Sequence, residues 1–131
     1  MQIGIPVIKD LVLIGGGHSH VAVLKAFGMR PLAGVRITLI SQDTQTIYSG
    51  MLPGLIAGHY SIDQAHIDLV PLARFAGARF IRAKAIGIDH QARTVNLEGR
   101  PPVSYDILSI NSGSLRSAGA VVGAEGVGIP V

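Results

Sequence analysis

The sequence predicts an α/β fold with a parallel sheet, and three observations support this prediction. The apolar run at residues 11–14 stops at three consecutive glycines, and a helix-like pattern begins directly after them. The run at residues 35–40 is rich in β-branched residues, as expected of a second strand. Charged residues make up only 15 % of the chain, which suits strands that are covered on both faces.

The first elements are predicted to form a β-α-β unit. We place a strand at residues 10–14, a helix at residues 19–29 and a second strand at residues 35–40. Ser19 is expected to cap the start of the helix, and Gly28 lies near its end. Strand, helix and strand within about thirty residues are typical of a parallel crossover connection.

The remaining elements are predicted from turn residues and apolar runs. Residues 41–58 are expected to form a loop with one helical turn around residues 52–57. Asp68 is expected to cap a helix at residues 70–76 that ends at Gly77. Further segments are predicted as follows: a third strand at residues 79–82, an antiparallel pair at residues 85–89 and 94–97, a turn at residues 98–102, and an apolar run at residues 103–110.

Composition excludes several classes of protein. The chain has 131 residues and no cysteine, which excludes a disulfide scaffold, a thiol nucleophile and a redox-active cysteine pair. No apolar segment reaches the roughly 18 residues that a membrane span needs, so we expect no transmembrane segment. The first ten residues do not resemble a signal peptide. We therefore expect a cytoplasmic protein.

The positive charge does not predict a nucleic-acid partner. The net charge is +3, and the eleven Lys and Arg residues are scattered along the chain. The densest group is Arg74, Arg79, Arg82 and Lys84, and we interpret it as the solvated face of one helix and one strand.

The three glycines carry the strongest chemical signal. A strand, a glycine turn and a helix bring backbone N–H groups to the pyrophosphate of a dinucleotide. Gly15 permits the tight turn, and Gly17 has no side chain to keep phosphates away from the backbone. His20 stands where the G-x-G-x-x-G/A pattern has a small residue. The alternative is a glycine turn that binds nothing.

Two polar groups near the turn have competing interpretations. Asp43 follows the second predicted strand, and it either binds a ribose hydroxyl or makes an Asx turn. His18 and His20 could ligate a metal, but a helix N-terminus repels cations and no carboxylates accompany the pair. We therefore expect no metal site and assign His20 to packing near the first strand. His59, His66 and His90 are interpreted as ordinary surface or loop residues.

The order of elements resembles the FAD-binding half of the pyridine nucleotide–disulfide oxidoreductase family. The resemblance covers nearly the whole chain and includes the Leu-Ile-Gly-Gly-Gly run at residues 13–17. It also includes residues 86–89, which lead into residues 94–97, and the Tyr-Asp-Ile-Leu segment within residues 104–114. The last segment is similar to the family's YDxLxxATGS pattern, with Asn111 and Ser112 in place of Ala and Thr.

Within the family, the sequence is most similar to the type II NADH dehydrogenase-like branch. Residues 15–21 (Gly-Gly-Gly-His-Ser-His-Val) and residues 48–54 (Tyr-Ser-Gly-Met-Leu-Pro-Gly) resemble the flavoprotein module sometimes fused ahead of selenide, water dikinase. The resemblance implies a Rossmann-like FAD/NAD(P)-binding fold. In that fold a parallel sheet has helices on one side and a small antiparallel β-meander on the other.

The resemblance also assigns cofactor-binding roles to residues of this chain. The FAD pyrophosphate would be held by the glycine turn and the start of the helix: Gly15, Gly16, Gly17, His18 and Ser19. The ribose would be bordered by Ser41, Gln42 and Asp43, and the adenine by Lys84 and Ala85. The flavin end would lie near Met51, Leu52 and Pro53 and near Asn111, Ser112 and Gly113.

The implied protein is an NAD(P)H-dependent flavoprotein oxidoreductase without cysteine-based disulfide chemistry. Hydride would pass from NAD(P)H to FAD, and electrons would then pass to a quinone or another acceptor. Residues 1–117 would be the N-terminal part of the FAD-binding domain, and residues 118–131 a linker to an NAD(P)-binding domain. A homodimer is a possible assembly. This chain alone is expected to bind FAD weakly or not at all and to be inactive.

Departures from the family pattern keep two other functions open. His20, Ser41 and the Asn111-Ser112 pair replace a small residue, an acid and Ala-Thr. One alternative is a non-catalytic nucleotide-binding or docking module fused to another enzyme. The other is a nucleotide-sugar or NAD-dependent Rossmann enzyme, in which β-α units rather than a β-hairpin should follow Ile81.

Overall fold

The computed structural model describes residues 6–7, 9–47 and 49–112, apart from the side chains of Ser49 and Ile62. Gly113 and the predicted boundary between residues 1–117 and 118–131 lie outside the described residues. Along the described chain the elements are, in order, β1 (Lys9–Ile14), α1 (His18–Met29), β2 (Val35–Ser41), β3 (Gln45–Ile47), a 3-10 turn (Ser49–Met51), α2 (Leu52–Ile56), α3 (Ile62–Ala65), β4 (His66–Asp68), α4 (Leu69–Phe75), β5 (Arg79–Arg82), β6 (Ala85–Asp89), β7 (Thr94–Leu97), β8 (Arg100–Ser104) and β9 (Ile107–Ile110).

A four-stranded parallel sheet forms the centre of the molecule. Its strand order is β5-β2-β1-β9, and every neighbouring pair is parallel. Strands β6, β7 and β8 form a separate antiparallel meander. Strands β3 and β4 form a short antiparallel pair. The central strands end at one edge of the sheet, where α1 begins.

The two faces of the sheet are covered differently, because successive side chains of a strand point to opposite faces. Leu13 and Leu39 pack with Leu24 of α1 and Leu69 of α4. On the other face, a cluster packs against the meander and contains Val12, Ile40, Val95 and Leu97. The predicted arrangement, with helices on one side and a meander on the other, is confirmed.

The two predicted helix caps differ in outcome. The cap at Ser19 is wrong, because α1 begins at His18 with Gly17 as its N-cap, which places Ser19 inside the first turn. Asp68 is the N-cap residue of α4 as predicted, but its side chain makes no capping bond. Its carboxylate instead accepts a hydrogen bond of 2.7 Å from Gln45 Nε2 across the β3–β4 pair. At the other end of α4 the C-cap is Ala76, and Gly77 follows it with a φ of +69°.

Two predicted coil segments contain strands. The loop predicted at residues 41–58 includes β3, which pairs with β4 far along the chain. Of the turn predicted at residues 98–102, residues 98–99 form a turn and β8 begins at Arg100; the apolar run at residues 103–110 contains the end of β8 and all of β9. They separate at Asp106, whose carboxylate accepts from the Asp10 N–H at 2.7 Å where the chain leaves the meander for the main sheet. Two prolines are tolerated in β8 because it is an edge strand.

In the part of the chain that the structure describes, every helix is too short or too polar to cross a bilayer.

Candidate functional site

A cleft of about 630 Å³ opens at the edge of the sheet where β1 and β2 end. Its volume lies within the range of roughly 300–1,000 Å³ that is usual for ligand pockets. Crevices outside the carboxyl ends of parallel strands are the usual ligand sites of open α/β sheets. The position and size of the cleft therefore make it the candidate binding site.

Most of the predicted site residues line this cleft. They come from the glycine turn, the start of α1, the end of β2, the start of β6 and the segment after β9: Gly15, Gly16, Gly17, His18, Ser19, Ser41, Gln42, Asp43, Ala85, Asn111 and Ser112. Four predicted residues are not among its lining residues: Met51, Leu52, Pro53 and Lys84. Gly113 lies outside the described residues.

Seven residues that line the cleft were not predicted from the sequence. They are Ile14, Ile40, Gln45, Thr46, Ile47, Leu69 and Ala83. Ile14 and Ile40 could have been found, because each ends or nearly ends a predicted strand whose carboxyl edge faces the turn. The three β3 residues gave no signal, since β3 exists only through its pairing with β4.

The glycine turn requires glycine for a geometric reason. Gly15 has a φ of +95°, which side chains rarely adopt, and a Cβ there would overlap the backbone of Asn111. A Cβ on Gly17 would overlap the Asn111 carboxamide. The Gly15 N–H donates to Ile40 O at 2.8 Å, which ties the turn to β2. The group that approaches Gly17 closely in this structure is therefore Asn111.

Asn111 joins the end of β9 to the glycine turn through three hydrogen bonds. Its N–H donates to Ile14 O at 2.8 Å, and its carbonyl accepts from the Gly17 N–H at 3.0 Å. Its side-chain Oδ1 accepts from the Ser19 N–H at 3.1 Å. The start of α1 is thus capped from β9, because Gly17 has no side chain to do so. A phosphate that bound the Ser19 N–H would have to displace this carboxamide.

His20 is buried beneath the turn, with 1 % of its surface exposed. Its Nδ1 lies 2.7 Å from Gly15 O and its Nε2 lies 2.8 Å from Ser109 Oγ of β9. A carbonyl oxygen can only accept, so Nδ1 carries the proton, and in the neutral ring Nε2 accepts from the Ser109 hydroxyl. Burial lowers the pKa of His20 below its usual 6.5, and the bond to Gly15 opposes that shift. The ring is therefore neutral at pH 7.

The end of β2 forms a compact turn. The Ser41 hydroxyl donates to Asp43 O at 2.8 Å and accepts from the Asp43 N–H at 3.2 Å. Arg82 Nε donates to Gln42 O at 3.1 Å. The serine hydroxyl, rather than the Asp43 carboxylate, makes this turn. Asp43 is exposed and lines the cleft.

His18 connects α1 to the opposite wall of the cleft. Its Nε2 lies 3.2 Å from Ile47 O of β3, so this nitrogen carries the proton of that hydrogen bond. Within the described residues, no group of three or more His, Asp or Glu side chains could hold a metal ion.

Comparisons with known proteins agree with this geometry. The chain is 34 % identical over 119 residues to the sulfide-quinone reductase of Aquifex aeolicus, a match that covers 90 % of this chain and 26 % of the relative. The crystal structure of the Aquifex aeolicus sulfide:quinone oxidoreductase matches with a TM-score of 0.66 and 30 % identity, over 84 % of this chain and 26 % of that chain. No family model matches.

More distant structures share the fold. NDH2 from Plasmodium falciparum, solved in complex with NADH, matches with a TM-score of 0.69 and 16 % identity over 90 % of this chain and 25 % of its own. A NAD-dependent persulfide reductase from A. fulgidus matches with a TM-score of 0.69 and 22 % identity over 91 % of this chain and 24 % of its own. The chain thus spans about a quarter of the length of the proteins it matches. It has the Rossmann-like fold that its sequence predicts, and the proteins that it matches are members of the pyridine nucleotide–disulfide oxidoreductase family, which the sequence resembles.

Proposed function

We propose that this chain forms the pyrophosphate-binding part of an FAD site in an NAD(P)H-dependent flavoprotein oxidoreductase. The observation that carries the proposal is the cleft, where the glycine turn, the end of β2 and the segment after β9 meet. Eleven of the sixteen residues predicted from the sequence line it.

The residues present fit the adenosine and pyrophosphate portion of FAD. The cleft combines backbone N–H groups of a strand-to-helix turn with apolar walls from Ile40, Leu69 and Ala83. Backbone donors at the start of a helix suit phosphate oxygens, because the helix dipole places partial positive charge there. Apolar walls suit an adenine ring. The cleft has the mixed lining that nucleotide sites usually have.

Each part of the cleft would have its own task. The turn from Gly15 to Gly17 and the start of α1 would bind the pyrophosphate, through the Gly16 N–H and, once the Asn111 carboxamide is displaced, through the Ser19 N–H. The exposed carboxylate of Asp43 would accept hydrogen bonds from ribose hydroxyls, which leaves Ser41 to hold the turn. Ala85 would border the adenine, together with the backbone of Lys84. Met51, Leu52, Pro53 and Gly113 remain assigned to the flavin end by the family resemblance alone.

The chemistry that FAD supplies when bound is hydride acceptance from NAD(P)H, followed by electron transfer to a quinone or another acceptor. This chain contributes binding and orientation. It contains no cysteine, so we propose that no thiol of this chain takes part in the reaction. A cytoplasmic location, a following NAD(P)-binding domain and a homodimer are parts of the same proposal.

The test is a titration of the chain with FAD, followed through flavin fluorescence and repeated with ADP as competitor. We expect weak, saturable binding that ADP displaces, because ADP carries the same pyrophosphate. Asn111→Asp places a carboxylate against the turn and should weaken FAD binding about tenfold through charge repulsion. Gln91→Asp adds the same charge in the exposed β6–β7 turn and should leave the affinity unchanged.

Two results would contradict the proposal. One is a correctly folded full-length protein that takes up no FAD, which would favour the non-catalytic docking module. The other is FAD binding that ADP does not displace, or that both charge variants weaken equally, because the cleft would then not be where FAD binds.

A further inference from the structure

The peptide between Gly15 and Gly16 is hydrogen-bonded to one buried side chain. His20 reaches back five residues, and its Nδ1–H donates to Gly15 O at 2.7 Å. The same ring is anchored by Ser109 Oγ of β9 at 2.8 Å, and it is 1 % exposed. The ring therefore has a fixed position between the glycine turn and the last strand of the sheet.

This bond determines where the neighbouring N–H points. The described chain contains no cis peptide bond, and in a trans peptide the C=O and the N–H point in opposite directions. The Gly15 carbonyl points at the buried His20 ring, so the Gly16 N–H points away from it. Gly16 lines the cleft, and no hydrogen bond within the described residues engages its N–H.

A glycine pair needs such a restraint more than other residues do. Without Cβ atoms, the peptide between two glycines rotates between orientations at little steric cost. A rotated Gly15–Gly16 peptide would present its carbonyl oxygen, not its N–H, to the cleft. An oxygen at that place would repel an anionic ligand.

We propose that His20 is a positioning residue of the pyrophosphate site: by binding the Gly15 carbonyl it keeps the Gly16 N–H directed into the cleft for a phosphate oxygen. This inference rests on the proposed function and deepens it. It gives a reason for a large residue at the position where the glycine pattern has a small one. A small residue at this position would allow close contact between helix and strand. The His20 ring instead joins the glycine turn to β9 through one hydrogen bond at each ring nitrogen.

Two amide variants distinguish the hydrogen bond that His20 makes to Gly15 O from the one that it makes to Ser109 Oγ. In His20→Asn the side-chain amide can take the place of Nδ1 and still donate to Gly15 O. In His20→Gln the amide reaches the place of Nε2, keeps a partner in Ser109 and leaves Gly15 O without its donor. Both variants are uncharged amides, so they differ mainly in which hydrogen bond survives. His90→Ala, at an exposed turn, serves as the control.

The measurement is the affinity of the chain and its variants for FAD, ADP and adenosine, by calorimetry. We expect His20→Gln to weaken FAD and ADP binding by about tenfold, the usual worth of a hydrogen bond to a charged group. Adenosine has no phosphate, so its affinity should be the same in all the variants. His20→Asn and the control should bind ADP like the wild type.

A purely structural role for His20 predicts a different pattern. It would lower the thermal stability of both amide variants and change the affinities for ADP and adenosine together. Equal ADP affinities in His20→Asn and His20→Gln would overturn the role proposed for His20 while leaving the proposed function intact. Failure of the wild-type chain to bind ADP, together with a full-length protein that takes up no FAD, would overturn the proposed function and this role with it.

Discussion

The turns after β1 and β2 lie at the same edge of the sheet but are held by different parts of the chain. After β2, the Ser41 hydroxyl bonds both the N–H and the C=O of Asp43, only two residues away. After β1, the turn is held by Asn111 and, through His20, by Ser109, about ninety residues further on. Arg82 of β5 also donates to Gln42 O, so the turn after β2 is held without β9, whereas the glycine turn depends on β9.

This difference predicts the order in which the cleft is completed. The turn after β2 is held by Ser41 itself and by Arg82 at the end of β5, so it can form once β2 and β5 have paired, without β9. The glycine turn obtains its bonds to Asn111 only when β9 has paired with β1. The phosphate end of the cleft should therefore be sensitive to any loosening of β9, and the Ser41–Asp43 end should not.

The largest expected effect comes from a side chain at the glycine turn. Gly15→Ala forces alanine into a φ of +95° and drives its Cβ into the Asn111 backbone, which cannot move without β9. We expect a loss of about 3 kcal/mol in the free energy of unfolding, measured by urea denaturation. Gly99→Ala is the matched control, since Gly99 also has a positive φ but has no neighbouring atom within 4 Å of the place where a Cβ would lie. It should cost about 1 kcal/mol. Equal losses of unfolding free energy in the two variants would show that the Asn111 backbone does not restrict the space at Gly15.

A smaller effect compares the two turns directly. Asn111→Ala removes the cap of the Ser19 N–H and should cost about 1.5 kcal/mol in unfolding free energy. Ser41→Ala removes two bonds to the backbone of Asp43, an exposed residue whose N–H and C=O water can reach, and should cost about 0.5 kcal/mol. Hydrogen exchange at the start of α1 should accelerate in the first variant only. Acceleration there in Ser41→Ala would mean that the two turns are coupled.

The same contrast explains what could be predicted from sequence. The strands β1 and β2 and the crossover helix were predicted because periodicity and glycine placement are local signals. The capping bonds were missed because α1 is capped by Asn111 and because the Asp68 carboxylate binds Gln45, and both partners are distant in sequence. Strand β3 was missed for the same reason, since only its pairing with β4 makes it a strand.

At the candidate site, too, the local motifs were predicted from the sequence and the contacts between distant residues were not. The glycine turn and the end of β2 were predicted as binding residues because their motifs follow strands directly; both line the cleft, and their binding of FAD stays a prediction. The bonds of His20 to Gly15 and Ser109 left no sequence signal beyond a large residue at a small-residue position. Its placement near the first strand was expected, but its link to β9 requires the folded sheet.

The smallest expected effect is a pH dependence of stability from His20. Burial holds its folded-state pKa below the unfolded value near 6.5, so the unfolded chain binds a proton more readily. The stabilising contribution is complete above pH 6.5 and is lost as the pH falls from there through the folded-state pKa. Thermal unfolding between pH 8 and pH 5 should show a decline that is reduced in His20→Asn. An identical decline in that variant would assign the effect to other groups.

The most direct test of the central claim is an NMR titration of the chain, labelled with ¹⁵N-glycine, with ADP. If the glycine turn receives the pyrophosphate, the Gly16 amide resonance shifts strongly on titration, and that of Gly34, which precedes β2 at the opposite edge of the sheet, does not. Adenosine should leave the Gly16 resonance in place. Saturation with ADP that leaves Gly16 unmoved would contradict the account.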